Sequence, residues 1–260
     1  KLPVLNRFIF IQSIKTSSEE KQKIADFAYL IKFILFFYSK LATFEENLWI
    51  MEERQIIYSN IPMEISVLRE AVADYRAQNN RISNMERSGD LIRVRRGLYV
   101  ADPRLSNQEI SRELIANNLY GPSYVSFESA LSYHGLIPER VNAVSSATIR
   151  RARSYSTPLG LFEFVTVPRD YFHIGIEQII VENQYAFLIA SPEKAICDLI
   201  ITTSGLRFQS VKAAREYLLY DMRISIDEYE NWDTDIITRC SEHGRKRREL
   251  NFIRTVLQNG

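Results

Sequence analysis

The sequence is poor in the side chains that build metal centres, disulfide frameworks and histidine-based catalytic sites. It has two cysteines, Cys197 and Cys240, and three histidines, His134, His173 and His243. The cysteines lie far apart and form no CxxC pair. We therefore predict no metal site, no disulfide framework and no cofactor, and we expect the reducing cytoplasm to be the compartment.

Long apolar runs and an excess of charge of one sign are also absent. The 260 residues include 33 lysines and arginines against 32 aspartates and glutamates, a net charge of +1. Any nucleic-acid-binding surface must therefore be a local patch. The longest apolar stretch, Ile24–Tyr38, is interrupted by Asp26 and Lys32 and is too short to cross a bilayer, so we expect no membrane partner.

The first fifty residues differ in character from the rest. The chain begins with Lys1, whereas Met51 opens a segment that resembles the start of a domain. We interpret residues 1–50 as upstream translation of the reading frame or as a weakly specified extension. The alternative interpretation is an interfacial or partner-binding helix.

The most informative stretch is Asn80–Val100, NRISNMERSGDLIRVRRGLYV. Its first part predicts a helix with Ile82 and Met85 facing a core, stopped by Gly89 in a left-handed cap. Its second part alternates apolar residues with arginines around a turn at Arg96-Gly97, which predicts a β-hairpin. A polar helix beside a basic hairpin is typical of a winged helix-turn-helix. Upstream of it, Ile65, Leu68, Val72 and Tyr75 recur at helical spacing and predict a preceding helix. We assign the winged helix-turn-helix domain to residues 51–104.

Nine side chains are candidates for contact with DNA. They are Asn79, Asn80, Arg81, Ser83, Asn84 and Arg87 on the helix, and Arg93, Arg95 and Arg96 on the hairpin. Asparagine can bond adenine edges, and arginine can bond guanine or phosphate. The alternatives are a solvated helix face and a hairpin kept soluble by charges on its edge.

Two further basic runs lie later in the chain. Arg150, Arg151 and Arg153 form a secondary patch that could bind RNA, DNA or an acidic partner, or could be a flexible solvated loop. The run Arg245–Arg248 we interpret as a helix face near a C-terminus, where positive charge suits the helix dipole.

Residues 105–260 predict a larger mixed α/β domain, so the fold class is α+β. Periodicity indicates a helix over Ser106–Tyr120, with a second helix capped by Ser126 that buries Tyr133. Strands are expected over Val141–Ile149 and Leu161–Val167, with Arg150–Pro158 as a link, and again around residues 179–189. The remainder turns helical.

Three segments in series resemble the AbiEi family: RSGDLIRVRRGLYV, GPSYVSFESALSYHGLIPE and ASPEKAICDLI. Members of that family are the antitoxins and transcriptional regulators of type IV toxin–antitoxin systems, which act in abortive infection and phage defence. The resemblance implies a repressor that binds the promoter of its own operon. It also implies a C-terminal domain that antagonises a nucleotidyltransferase-type toxin without needing a stable complex. One domain of this size covers few base pairs, so tight operator binding would need a homodimer on repeated half-sites or help from the second domain.

Two other functions remain open. Asp170 with Glu193-Lys194 faintly resembles the acidic pattern of metal-dependent nucleases, although Ser191-Pro192 marks a capped helix start there. The other alternative is a protein-interaction module whose basic hairpin touches an acidic partner. We expect a DNA-binding repressor and not an enzyme.

Overall fold

The computed structural model describes residues 59–139, 141–182, 184–224, 226 and 232–258. All of them belong to one compact unit, Ile56–Gly260. The expectations for residues 1–50 and for a domain start at Met51 lie outside the described residues. Within these ranges no helix is both long and apolar enough to span a membrane.

The first part of the described chain joins two helices to a small antiparallel sheet. Its elements are β1 (Met63–Glu64), α1 (Ile65–Ala71), α2 (Gln78–Ser88), β2 (Leu91–Arg95) and β3 (Leu98–Ala101). The strand order is β1-β3-β2. Ile82 and Met85 are buried in a small core with Leu68 and Tyr99, as the periodicity predicts.

Two glycines end α2 and close the hairpin as predicted. Gly89 has φ +81°, and its N–H bonds the carbonyl of Glu86, which is the left-handed cap. Gly97 has φ +84° in the turn between β2 and β3. Both positions therefore need a residue that tolerates positive φ.

Two details of this part differ from the expectation. The alternation predicted for β2 is wrong, because a bulge between Arg93 and Arg95 leaves Val94 buried and Ile92 only partly so. The helix before α2 is shorter than predicted, since α1 ends at Ala71 and leaves Tyr75 50% exposed.

The second part of the described chain carries the larger core. Its elements are α3 (Pro103–Ser106), α4 (Arg112–Leu119), β4 (Ser123–Val125), α5 (Phe127–Tyr133), β5 (Ala143–Thr148), β6 (Arg153–Thr157), β7 (Gly160–Thr166), α6 (Arg169–Phe172), β8 (Ile176–Val181), β9 (Tyr185–Ala190), α7 (Pro192–Thr202), α8 (Val211–Glu216) with a π-helical extension (Tyr217–Asp221), α9 (Thr234–His243) and α10 (Arg247–Gln258).

The large sheet has the strand order β6-β7-β5-β4-β9-β8. The pairs β5–β7 and β4–β9 are parallel, and the other three pairs are antiparallel. The helices α5 and α9 each pack on α7, and α7 also packs on β9. The protein is therefore of the α+β class, with one small and one large mixed sheet.

Three expectations for this part are wrong. The segment Arg150–Pro158 is not a link, because Arg153–Thr157 forms β6, the outermost strand of the large sheet. The helix expected over Ser106–Tyr120 begins at Arg112, capped by the Ser111 hydroxyl. Tyr133 is 45% exposed rather than part of the core.

Helix α7 is buried along its length, yet it carries an ion pair. The Lys194 Nζ lies 3.4 Å from the Asp198 Oδ1, and both side chains have no exposed surface. Nζ also donates to the Tyr171 carbonyl at 3.0 Å. The Asp198 Oδ2 accepts from the hydroxyls of Ser126 at 2.6 Å and Tyr124 at 3.0 Å. The pair therefore joins α7 to β4, to the start of α5 and to α6.

We expect Lys194→Met to lower the free energy of unfolding by about 3–5 kcal/mol, because it leaves the Asp198 charge buried without its partner. Adding Asp198→Asn should recover part of that loss, since the amide keeps an acceptor but carries no charge. Chemical denaturation of the three proteins measures both effects.

The chain offers a matched control at the same helical spacing. The Lys212–Glu216 pair on α8 is also four residues apart, but its side chains are 85% and 54% exposed. Lys212→Met should therefore change stability by less than about 1 kcal/mol. Equal losses at Lys194 and Lys212 would contradict the role given to burial.

Candidate nucleic-acid interface

The outward side of α2 is polar because the apolar residues of the helix face the small core. Asn79, Asn80, Ser83, Asn84 and Arg87 are exposed, whereas Arg81 is partly buried. Ile82 and Met85 hold the opposite side against the small core. The helix thus presents an uncharged amide-rich strip flanked by arginines to solvent.

Several of these side chains are pre-positioned by contacts within the protein. The Arg69 Nε donates to the Asn79 Oδ1 at 3.1 Å. The Arg87 guanidinium donates to the Asn84 side chain and to the Ser83 carbonyl. The Arg81 guanidinium lies over the Tyr75 ring, 5.0 Å from its centroid. Exposed Tyr75 therefore holds the Arg81 guanidinium near the start of α2.

The three hairpin arginines differ in what they contact. Arg93 is exposed and pairs with Glu86 of α2 at 3.3 Å, which ties hairpin to helix. Arg96 is exposed at the turn, and its side chain makes no hydrogen bond or ion pair with a described residue. Arg95 is half-buried and donates to the Leu119 carbonyl at 3.2 Å and to Glu64 at 3.0 Å. Arg95 is thus engaged in bracing the hairpin.

The secondary patch lies at the edge of the large sheet, beside the hairpin. β6 is the outermost strand and packs next to β2. The Arg150 guanidinium lies 5.0 Å from the Tyr120 ring centroid, and that of Arg153 lies 4.9 Å from the Tyr155 ring. The two tyrosine rings are themselves 6.0 Å apart. Stacking on the tyrosine rings therefore orders Arg150 and Arg153 of this patch. Arg151 is exposed.

An open groove of about 360 Å³ adjoins the start of α2. Two residues lining it, Arg69 and Arg76, were not among the candidates. Both are exposed and add positive charge next to Asn79 and Asn80. The signal that could have found them is their position shortly before α2, since α1 ends at Ala71 and no helical spacing relates Arg69 to Arg76.

The residues of the nuclease-like alternative do not share an accessible site. Lys194 is fully buried, and Glu193 is 2% exposed, with its Oε1 accepting from the Asp233 N–H at 2.9 Å. Asp170 is exposed. Ser191 accepts from the Lys194 N–H as the predicted N-cap of α7. Among the described residues no group of three histidine, cysteine or carboxylate side chains is placed to hold a metal ion.

Comparison with known proteins places few constraints on this chain. No family model matches the sequence, and no curated protein matches it. Among solved structures, the chain is similar to that of the RV2827C protein from Mycobacterium tuberculosis, at 12% identity over 76% of each chain and a TM-score of 0.43. A likeness of this degree carries no argument about fold or function.

Substitution of Arg95 and of Arg96 tests whether Arg95 stabilises the hairpin while exposed Arg96 does not. We expect Arg95→Ala to lower the free energy of unfolding by about 1 kcal/mol, because it removes bonds to the Leu119 carbonyl and to Glu64. Arg96→Ala should change it by less than about 0.5 kcal/mol, since its side chain is exposed. Thermal unfolding of both variants measures the difference, and a loss that is equal in both would contradict the bracing role.

Proposed function

We propose that residues 59–104 are part of a winged helix-turn-helix and that the protein is a DNA-binding transcriptional repressor. The observation that carries the proposal is the exposed amide and arginine side of α2 lying beside the β2–β3 hairpin. In such a domain the second helix enters the major groove and the hairpin contacts the backbone. The 11 residues of α2 span roughly 16 Å, enough to reach several base edges.

Three exposed arginines of α2 and the hairpin are positioned to contact DNA phosphates. Arg93 and Arg96 are exposed on the hairpin, and Arg87 is exposed in the last turn of α2. Exposed arginines release counterions from DNA when they meet phosphates, which makes affinity depend on salt. Asn80 and Asn84 are the side chains best suited to read bases, because amides bond adenine edges in the major groove.

The edge strand β6 extends the proposed interface beyond the hairpin. Because β6 packs next to β2, DNA that runs along the hairpin would pass Arg150 and Arg153. Their guanidinium groups already stack on Tyr120 and Tyr155, so less side-chain entropy is lost when they bind phosphate. This contact would supplement the few base pairs that one winged helix covers.

The antitoxin role rests on the resemblance of three sequence segments to the AbiEi family. Under this proposal the protein represses its own operon by occupying the promoter, with two copies on repeated half-sites. The larger domain antagonises a nucleotidyltransferase-type toxin encoded beside it.

The repressor proposal predicts salt-dependent binding of the full chain to its own upstream DNA, in preference to scrambled DNA. Arg93→Ala/Arg96→Ala should weaken binding and reduce the slope of log K against log salt by about two, because two phosphate contacts are lost. Arg150→Ala/Arg153→Ala should have a similar but separate effect. Fluorescence anisotropy across a salt series measures both.

A control variant removes the same number of positive charges from a surface outside the proposed interface. Arg239→Ala/Arg245→Ala deletes two exposed arginines away from α2 and the hairpin, and it should leave the slope unchanged. Equal weakening by all three pairs would show attraction to net charge alone. Equal affinity of the unmodified chain for upstream and scrambled DNA would remove the repressor role.

The antitoxin proposal predicts that expressing the chain from an unrelated promoter rescues growth of cells that express the neighbouring nucleotidyltransferase. Arg93→Ala/Arg96→Ala should rescue equally, because neutralisation is assigned to the larger domain. Growth curves measure the rescue. Persistent growth arrest with the unmodified chain, at confirmed protein levels, would remove the antitoxin role while leaving DNA binding intact.

A further inference from the structure

A further basic site, distinct from the hairpin and from the secondary patch, lies in a groove between α8 and α10. The open groove has a volume of about 500 Å³. Arg247, Arg248 and Arg254 contribute its positive charge, while Val211 and Phe252 form an apolar part of the wall. No aspartate or glutamate is among its lining residues. The groove therefore favours an anionic ligand.

The stability of the helices explains only one member of the basic run Arg245–Arg248. The Lys246 Nζ donates to the carbonyls of Ile200 and Thr203, at the C-terminal end of α7, where positive charge is favourable. Arg247 and Arg248 lie in the first turn of α10, where the helix dipole disfavours cations. The interpretation that the whole run suits a helix C-terminus is thus wrong for these two arginines.

The arginine side chains keep hydrogen-bonding capacity that the described residues do not use. Arg247 makes no hydrogen bond or ion pair with any of them. The Arg254 Nη1 donates to the Thr238 hydroxyl at 3.3 Å, while its buried Nε has no hydrogen-bond partner there. An anion in the groove would supply acceptors for both residues.

The apolar part of the groove narrows the class of anion. The Phe252 ring is partly exposed, and the Arg248 guanidinium lies 5.4 Å from its centroid. A flat ring and a planar cation form a platform on which a nucleobase stacks. Asn251, also in the lining, can bond the edge of a base. An acidic peptide would use the arginines but not this platform.

We propose that the groove between α8 and α10 binds a nucleotide, with phosphate on Arg247 and Arg254 and the base on Phe252 and Arg248. The same chemistry is offered by a free nucleotide and by a single-stranded RNA or DNA segment. This site is separate from the α2 and hairpin surface, and it does not depend on the repressor role.

The test titrates the full chain against three probes: a labelled single-stranded RNA dodecamer, the DNA strand of the same sequence, and a labelled mononucleotide. We expect binding of at least one probe. Arg247→Ala/Arg248→Ala should weaken it about tenfold. Phe252→Leu keeps apolar packing but removes stacking, and it should weaken binding roughly fivefold or more. Arg239→Ala/Arg245→Ala, equal in charge change, should bind as the unmodified chain does.

The outcomes separate the sources and the rival ligand. Binding of the mononucleotide supports a free-nucleotide site, and binding of strands alone supports a strand-binding groove. Arg247→Ala/Arg248→Ala should retain operator binding, which distinguishes this site from the proposed DNA interface. The proposal is overturned if no probe binds, if Phe252→Leu has no effect while polyglutamate competes fully, or if the control pair weakens binding equally. Circular dichroism melting of each variant verifies folding.

Discussion

The ion pair between Lys194 and Asp198 is the contact around which the larger part of the fold is built. Removing two charges from water costs several kcal/mol each, so the pair persists because its remaining bonding groups are largely occupied. The Lys194 amine reaches the Tyr171 carbonyl and lies over the Tyr171 ring, 3.1 Å from its centroid. Burial raises the pKa of the Tyr124 hydroxyl, which keeps it protonated and able to donate to Asp198.

The ion pair connects by short steps to both proposed sites. At one end of α7, Lys246 bonds the last carbonyls and so sets where α10 and its arginines begin. On the side of the proposed DNA interface, the hydroxyls of Tyr124 and Ser126 connect Asp198 to β4 and to the start of α5. The helix α4 packs on β4 and ends at Leu119, whose carbonyl accepts from Arg95 of the hairpin. The position of the hairpin is thus linked to the buried core through side-chain hydrogen bonds and the packing of α4 on β4.

Local signals made much of this fold predictable from the sequence, while long-range pairing did not. The core side of α2, the left-handed Gly89 and the Ser191 cap depend on residues within four positions of one another. β6 depends instead on pairing with β7, and its polar residues suit an exposed edge strand. Tyr75 and Tyr133 match a helical spacing, yet neither is buried. Helix α1 ends before Tyr75, and Tyr133 is the exposed last residue of α5. Within the candidate interface, spacing identified the exposed arginines, but it could not show that Arg95 bonds a residue 24 positions away.

Arginines in this protein divide by what fixes their guanidinium groups. Arg95 is held by a backbone carbonyl and a carboxylate, so most of its donors are occupied within the fold. Arg150, Arg153 and Arg248 rest on aromatic rings, which fix the plane of the group. Arg150 also donates to the Gly121 carbonyl at 3.1 Å, and the N–H donors that remain can bond an anion. Arginines of the second kind lose less conformational freedom on binding phosphate than lysines on flexible stems. With a net charge of only +1, this arrangement concentrates anion affinity where rings hold the cations, and both proposed sites contain it.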